Sequence, residues 1–387
     1  MFNFDETIER RNTNCMKWDG MQPIYGSDDL LPLWVADMDF RPPQQVIDAL
    51  REKVDHGIFG YTLISEQAKD SVVQWVQNRH DWSIKKDWLH FSSGVIPSIA
   101  HSIQALTAVG DQVLILSPVY TPFFNMIEIN NRKVAISKLL NNDQHYEIDF
   151  EDFENQLKNG VKLFILCNPH NPGGRVWSTE ELTKIVQLCK QYNVPIISDE
   201  IHADLVAAPY KHIPLATIDE TYSEEIITLM APSKTFNLAG LQAAFAVIKN
   251  ETYREKIKAI YAQAGLSQLN TMGLVAMEAA YTYGESWLNA LLEYVNKNFE
   301  LVTSFIENEL PKVKVMKPEG TYLIWLDCSE LGFTSTQLKN KILKEAKIAV
   351  NFGEAYGPGG ELFIRLNAAC TKEVMQQGLI QLKQALA

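Results

Sequence analysis

Lys234 stands in "APSKTFNLAG" (231–240), directly after the apolar run "IITLM". A lysine is costly to bury and is usually found at the surface. One at the exit of a core run is therefore either solvated there or kept for its amine. "SDEIH" (198–202) ends a second apolar run with Asp199, Glu200 and His202. An acid in that position caps a helix or serves a ligand. In "SSGVIPSIAHSIQAL" (92–106) a glycine turn precedes an apolar helix. The amides of Gly94, Val95 and Ile96 would point at an anion there, and the helix dipole would favour it. The same stretch also reads as a plain strand–helix turn. It is neither a P-loop nor G-x-G-x-x-G, which argues against a nucleotide ligand. "CNPHNPGGR" (167–175) has two Asn-Pro steps and a glycine pair, and alone it reads as a turn. Arg365, in "FIRLN", reads alone as a surface or salt-bridge arginine.

These pieces share a position relative to the elements around them. The runs 111–118, 161–169, 194–200, 226–233 and 242–249 are apolar without polar alternation, as strands buried on both faces are. Between them, "STEELTKIVQLCKQYN" (178–193) has helical spacing, with Ser178 or Thr179 as cap, acids in the first turn and Lys190 in the last. Strand–helix–strand alternation of this length implies an α/β fold with a mostly parallel sheet. In such sheets ligands sit beyond the carboxyl ends of the strands. Ser117, Pro118 and Tyr120, then Asn168 and Asn171, then Asp199 and His202, then Ser233 and Lys234 all fall at strand exits.

The 387 residues are too many for one small domain. The texture changes near residue 284: a long helical segment leads to "VKVMKPEGTYLIWLD" and "ELFIRLNAAC", which read as strands of a second, α+β lobe. The expected division is a large domain over 46–283 and a small domain from 1–45 and 284–387. The formal net charge of −12 argues against nucleic acid or an anionic membrane as partner, but leaves a phosphate-bearing ligand open. Five cysteines, an odd number with no C-x-x-C pair, read as reduced thiols in a cytoplasmic protein with no metal site. The acidic start "MFNFDETIER" has no apolar core, so no signal peptide is expected. No apolar run approaches the roughly 20 residues of a membrane helix.

The order of these motifs resembles the fold-type I pyridoxal-phosphate enzymes, the aspartate aminotransferase-like superfamily. "LPLWVADMDF", "SPVYTPF", "NPHNPGGRVW", "SDEIHADL", "APSKTFNLAGLQ", "GTYLIWLD" and "IRLNAA" are similar to the MalY/PatB group of cystathionine β-lyase-type C–S lyases. The resemblance implies a large domain with a seven-stranded, mostly parallel sheet flanked by helices. It implies pyridoxal 5′-phosphate as cofactor, with Lys234 joined covalently to its aldehyde. Asp199 would pair with the ring nitrogen, Asn171 would donate to the ring oxygen and Tyr120 would stack on the ring. Gly94, Val95, Ile96 and Ser233 would hold the phosphate. Tyr61, in "FGYT", would reach that phosphate from the neighbouring subunit of a homodimer. Arg365 would clamp the substrate carboxylate, and Tyr25, Trp34 and Asp37 would line the substrate mouth.

Two positions depart from the superfamily pattern. Gln242 stands where many members carry an arginine bound to the phosphate. His202 stands where many aminotransferases have a tyrosine that donates to the ring oxygen; it would make a similar bond or merely pack beside the ring. The resemblance implies α,β-elimination of cystathionine and related cysteine thioethers to a thiol, pyruvate and ammonia. Spacing alone does not separate this from an aminotransferase, because both reactions begin by removing the Cα proton. Binding of a transcription regulator is a further role that the group implies.

Overall fold

The computed structural model describes residues 2–206, 208–266 and 269–387. The uninterrupted apolar runs form the centre of an eight-stranded sheet. Its strands are β1 (Leu89–Ser92), β2 (Gln112–Ser117), β3 (Lys133–Asn142), β4 (His145–Ile148), β5 (Leu163–Cys167), β6 (Ile196–Asp199), β7 (Ile226–Met230) and β8 (Ala244–Ile248). They lie in the order β1-β8-β7-β6-β5-β2-β3-β4. The central strands β7, β6, β5, β2 and β3 are parallel, while β1, β8 and β4 pair antiparallel.

The resemblance implied seven strands, and β4 is the addition. Asp143 and Gln144, both at positive φ (49° and 59°), close a tight hairpin between β3 and β4. Positive φ at both central residues is the requirement of a type I′ turn. The polar stretch "NNDQHYEI" offers no apolar run from which to read this strand.

The lack of alternation has a direct cause. Leu163, Ile165 and Cys167 of β5 point into one core, whereas Phe164 and Leu166 point into the other. Both faces are covered by helices, so every position must be apolar. The helix Thr179–Tyr192 begins at Ser178, whose side chain and that of Glu181 form a reciprocal capping box.

A smaller sheet has the order β9 (Lys314–Val315), β10 (Leu323–Asp327), β12 (Phe363–Asn367), β11 (Asn351–Phe352). The N-terminal segment docks on it. Leu31–Pro32 pairs in parallel with Ile348–Ala349, and Asn367 donates from its side chain to the carbonyls of Val35 and Asp37 (2.7 and 2.5 Å). Lys17 is fully buried in this segment and pairs with Asp39 at 2.7 Å. Among the described residues no helix is long and apolar enough to cross a membrane, and no three metal-ligating side chains cluster.

Between the two sheets runs a seam of hydrogen bonds. Ser117 Oγ donates to Pro358 O at 2.7 Å and Val119 N to Tyr356 O at 2.9 Å. The amides of Glu319 and Gly320 donate to Gly174 O at 3.0 and 2.9 Å. The carboxyl ends of β2, β5 and β6 therefore open toward the small sheet, beside the switch point where the strand order reverses between β5 and β2.

Candidate active site

A cavity of about 230 Å³ lies at these strand ends. Ser93 to Pro97, Tyr120, Cys167, Asn171, Asp199, His202, Ser233, Lys234 and Gln242 line it. All but Gln242 follow or end a strand, and Gln242 stands just before the antiparallel β8, so the topology brings together residues spread over 150 positions of the chain.

The helix Val95–Leu106 starts at Gly94 without a side-chain cap on its first amides. Pro97 has no N–H, and the Ser98 amide turns back to Gly94 O at 3.2 Å. The hydroxyls of Ser92 and Ser98 also hold the Gly94 carbonyl (3.1 and 3.0 Å), which fixes the turn. The first amides are left facing the cavity as a seat for an anion.

Asp199 ends β6 and is 3% exposed. Among the described residues its one hydrogen-bond donor is the Ile201 amide, at 3.1 Å from Oδ1. Burial pushes its pKa up to about 7, with Glu200 adding to the rise, while the Ile201 amide and Lys234 oppose it. Lys234 is the mirror case. Burial and then Arg365 push its amine down to about 8, against the pull of Asp37 and Asp199. Its Nζ donates to Ala36 O at 2.7 Å, and Tyr322 Oη donates to the same carbonyl at 2.8 Å. A buried lysine near 8 keeps a sizeable neutral fraction at physiological pH, as a nucleophile or base requires.

Arg365, on β12, reaches across from the small sheet. Its Nη1 donates to Asn171 Oδ1 (3.0 Å), and its Nη2 to Trp34 O (2.9 Å) and Asn351 Oδ1 (2.7 Å). Asn351 is its register partner on β11. The Nε–H is buried and has no partner among the described residues. His202 is held neutral by burial, next by Lys234 and Arg365, and its Nδ1 has no partner among the described residues. The thiol of Cys167 sits under Asn171, 3.3 Å from its amide.

Four residues that the resemblance implied for the site do not line this cavity. The Trp34 ring packs edge-on against Tyr25 at 5.3 Å, and its Nε1 donates to Lys17 O, so only the Trp34 carbonyl serves Arg365. Asp37 faces Arg10 at 2.7 Å. Tyr25 donates to Val350 O at 2.9 Å. None of these three side chains lines the cavity. Tyr61 is 96% exposed and does not enter the cavity of its own chain. Sequence reasoning assigned no role to Tyr322, Asn351 or the Ala36 carbonyl. Tyr322 lies within "GTYLIWLD" and Ala36 within "LPLWVADMDF"; Asn351 carried no sequence signal.

An anion seat, a buried carboxyl, a desolvated amine and a guanidinium with a free donor define an enzyme site for an anionic cofactor and a carboxylate substrate. Residues 28–382 match the model of the class I and II aminotransferase family, and the chain belongs to that family. It is 47% identical over 386 residues to cystathionine β-lyase PatB of Bacillus subtilis strain 168, covering all of both chains. It is 32% identical to MalY of Escherichia coli K12, over 100% of this chain and 99% of the other. The PLP-bound C–S lyase from Staphylococcus hominis superposes with a TM-score of 0.93 at 36% identity, over 100% of this chain and 98% of that one.

Proposed function

We propose that this chain is a pyridoxal-phosphate-dependent C–S β-lyase, cleaving cystathionine and related cysteine thioethers to a thiol, pyruvate and ammonia. One observation carries the reading. A lysine amine at about 8 shares a cavity with a buried acid at about 7, in a chain 47% identical end to end to a cystathionine β-lyase.

The residues fit the cofactor. Amides of Gly94, Val95 and Ile96, with Ser233 and Gln242, would take the phosphate. Asp199 is a carboxyl whose burial is poorly compensated, and a protonated ring nitrogen against it would relieve that cost. Asn171 would donate to the ring oxygen and Tyr120 would cover the ring. Lys234 would hold the aldehyde. His202, kept neutral, would pack or bond beside the ring. Bound there, the cofactor supplies a sink for the electron pair left at the substrate Cα.

Arg365 would hold the substrate α-carboxylate, which fixes the Cα–H bond relative to Lys234. Lys234 Nζ, neutral because it is desolvated, would take the Cα proton. Its ammonium form could then give a proton to the sulfur leaving Cβ, and cystathionine would release homocysteine. Incubation with cystathionine and no keto acid tests this: free thiol and pyruvate in equal amounts are expected. Turnover only with a keto-acid acceptor would make the protein an aminotransferase. Lys234→Ala should lose turnover and the visible absorption of the bound cofactor.

The same reading makes the enzyme a homodimer, with Tyr61 reaching the partner's phosphate. Phe59, Tyr61 and Leu63 are 59, 96 and 86% exposed, and such apolar exposure favours a covered surface. The large domain spans 46–283 and the small domain 1–45 with 284–387. Five free cysteines suit the reducing cytoplasm.

A further inference from the structure

The Nη donors of Arg365 are bonded to Asn171, Asn351 and Trp34, while its Nε–H has no partner among the described residues, which leaves the guanidinium free to tilt. The face of the group is held differently. Its Cζ lies 5.4 Å from the centroid of the Tyr356 ring. Tyr356 is buried and is wedged edge-on by Trp325 at 5.2 Å and 67°. Trp325 is the register partner of Arg365 on β10, so the same sheet that carries the guanidinium also carries the wedge. The Tyr356 carbonyl accepts from Val119 N at 2.9 Å, one residue before Tyr120. Thr121 Oγ1 donates to Ala355 O at 2.6 Å. The turn that bears Tyr356 is thus pinned to the exit of β2. Gly357 follows it at φ +89°, where an added Cβ would run into the Phe124 ring.

We propose that Tyr356 is a positioning residue, whose ring holds the Arg365 guanidinium level and so sets its grip on the substrate carboxylate. This rests on the reading of Arg365 as the carboxylate clamp. A cation over an aromatic face is attracted by the ring quadrupole, more strongly where both are desolvated. The hydroxyl plays no part in that attraction. Burial pushes it up to about 12, so it stays neutral beside the cation.

The test uses the holoenzyme with S-methyl-L-cysteine and with its α-carboxamide, which lacks the carboxylate. Tyr356→Leu should lower the acid-over-amide ratio of kcat/KM by about tenfold, through KM for the acid. The visible absorption of the bound cofactor should not change. Tyr356→Phe, which keeps the ring, should retain the wild-type ratio. Should Tyr356→Leu fail to fold, Tyr356→Met fills similar space without a ring and carries the same expectation. An unchanged ratio in the ringless variant overturns the proposal, and so does an equal fall for acid and amide, which means a structural role only. Arg365→Lys separates the two readings. Loss of its ratio with Tyr356→Leu unaffected sinks the role of Tyr356 alone, while an unchanged ratio in Arg365→Lys sinks the clamp itself.

Discussion

Asp199 and Lys234 titrate toward each other for the same reason: each charged form has been taken out of water with little to replace it. For Asp199 the folded pKa of about 7 lies above the ordinary 3.8. The folded chain therefore binds more protons than the unfolded one between those values, and stability falls as pH rises through them. In the cofactor-free protein, Asp199→Asn should be more stable than the parent above pH 7 by roughly 2–4 kcal/mol. Below about pH 4 it should show no gain. Thermal unfolding of both apoproteins across this range checks it, and a gain independent of pH would mean that the carboxyl is not held protonated by burial. Removing the cofactor matters, because a cation against Asp199 would pull its pKa back down.

At the scale of elements, the site depends on strand exits held against the small sheet. Arg175, from the turn "NPGGR", is buried where the sheets meet. Its Nη1 bonds Glu319 at 2.6 Å, its Nη2 bonds Glu181 at 2.7 Å, and its Nε bonds Tyr146 O at 2.8 Å. Glu319 also accepts from the Val176 amide at 2.9 Å. Read alone, this stretch was a turn; its glycines also let the chain pass close to 318–320, where the Gly174 carbonyl takes two amides. Glu319→Ala would leave a guanidinium half paired and an amide unpaired in the interior. Loss of one partner of a buried pair costs about 3 kcal/mol, so the melting temperature should fall by several degrees. Glu319→Gln, which keeps acceptor and shape, should recover part of that loss.

For the whole molecule, the loop 57–64 is the feature that a lone chain explains least. Thr62 touches Thr271, and Asn270 donates to Leu241 O at 3.2 Å, next to Gln242 on the cavity lining. The exposed apolar loop therefore lies close to the mouth of the site. Phe59→Asp places a charge in the surface proposed for the second subunit. If the proposed dimer forms, the substitution should shift the elution from dimer toward monomer and weaken cofactor retention in parallel, as gel filtration and absorption spectra would read. A monomer that keeps its cofactor as tightly as the parent would remove Tyr61 from the site.

The sequence by itself determined the buried strands β2, β5, β6, β7 and β8, because a strand covered on both faces must be apolar throughout. It narrowed the helix cap to Ser178 or Thr179, and with parallel strands it determined which polar residues stand at the exits. Those are local patterns with fixed periods. It left β1, β3 and β4 unread, β4 because a polar hairpin looks like a loop. It named Trp34 but not its direction, since composition does not say whether a ring or its carbonyl faces inward. Tyr322 meets Ala36 across 286 residues, and Asn351 meets Arg365 only through strand register. Such contacts arise when folding sets a particular carbonyl against a particular donor, and so only the tertiary structure decided how the clamp and the amine are held.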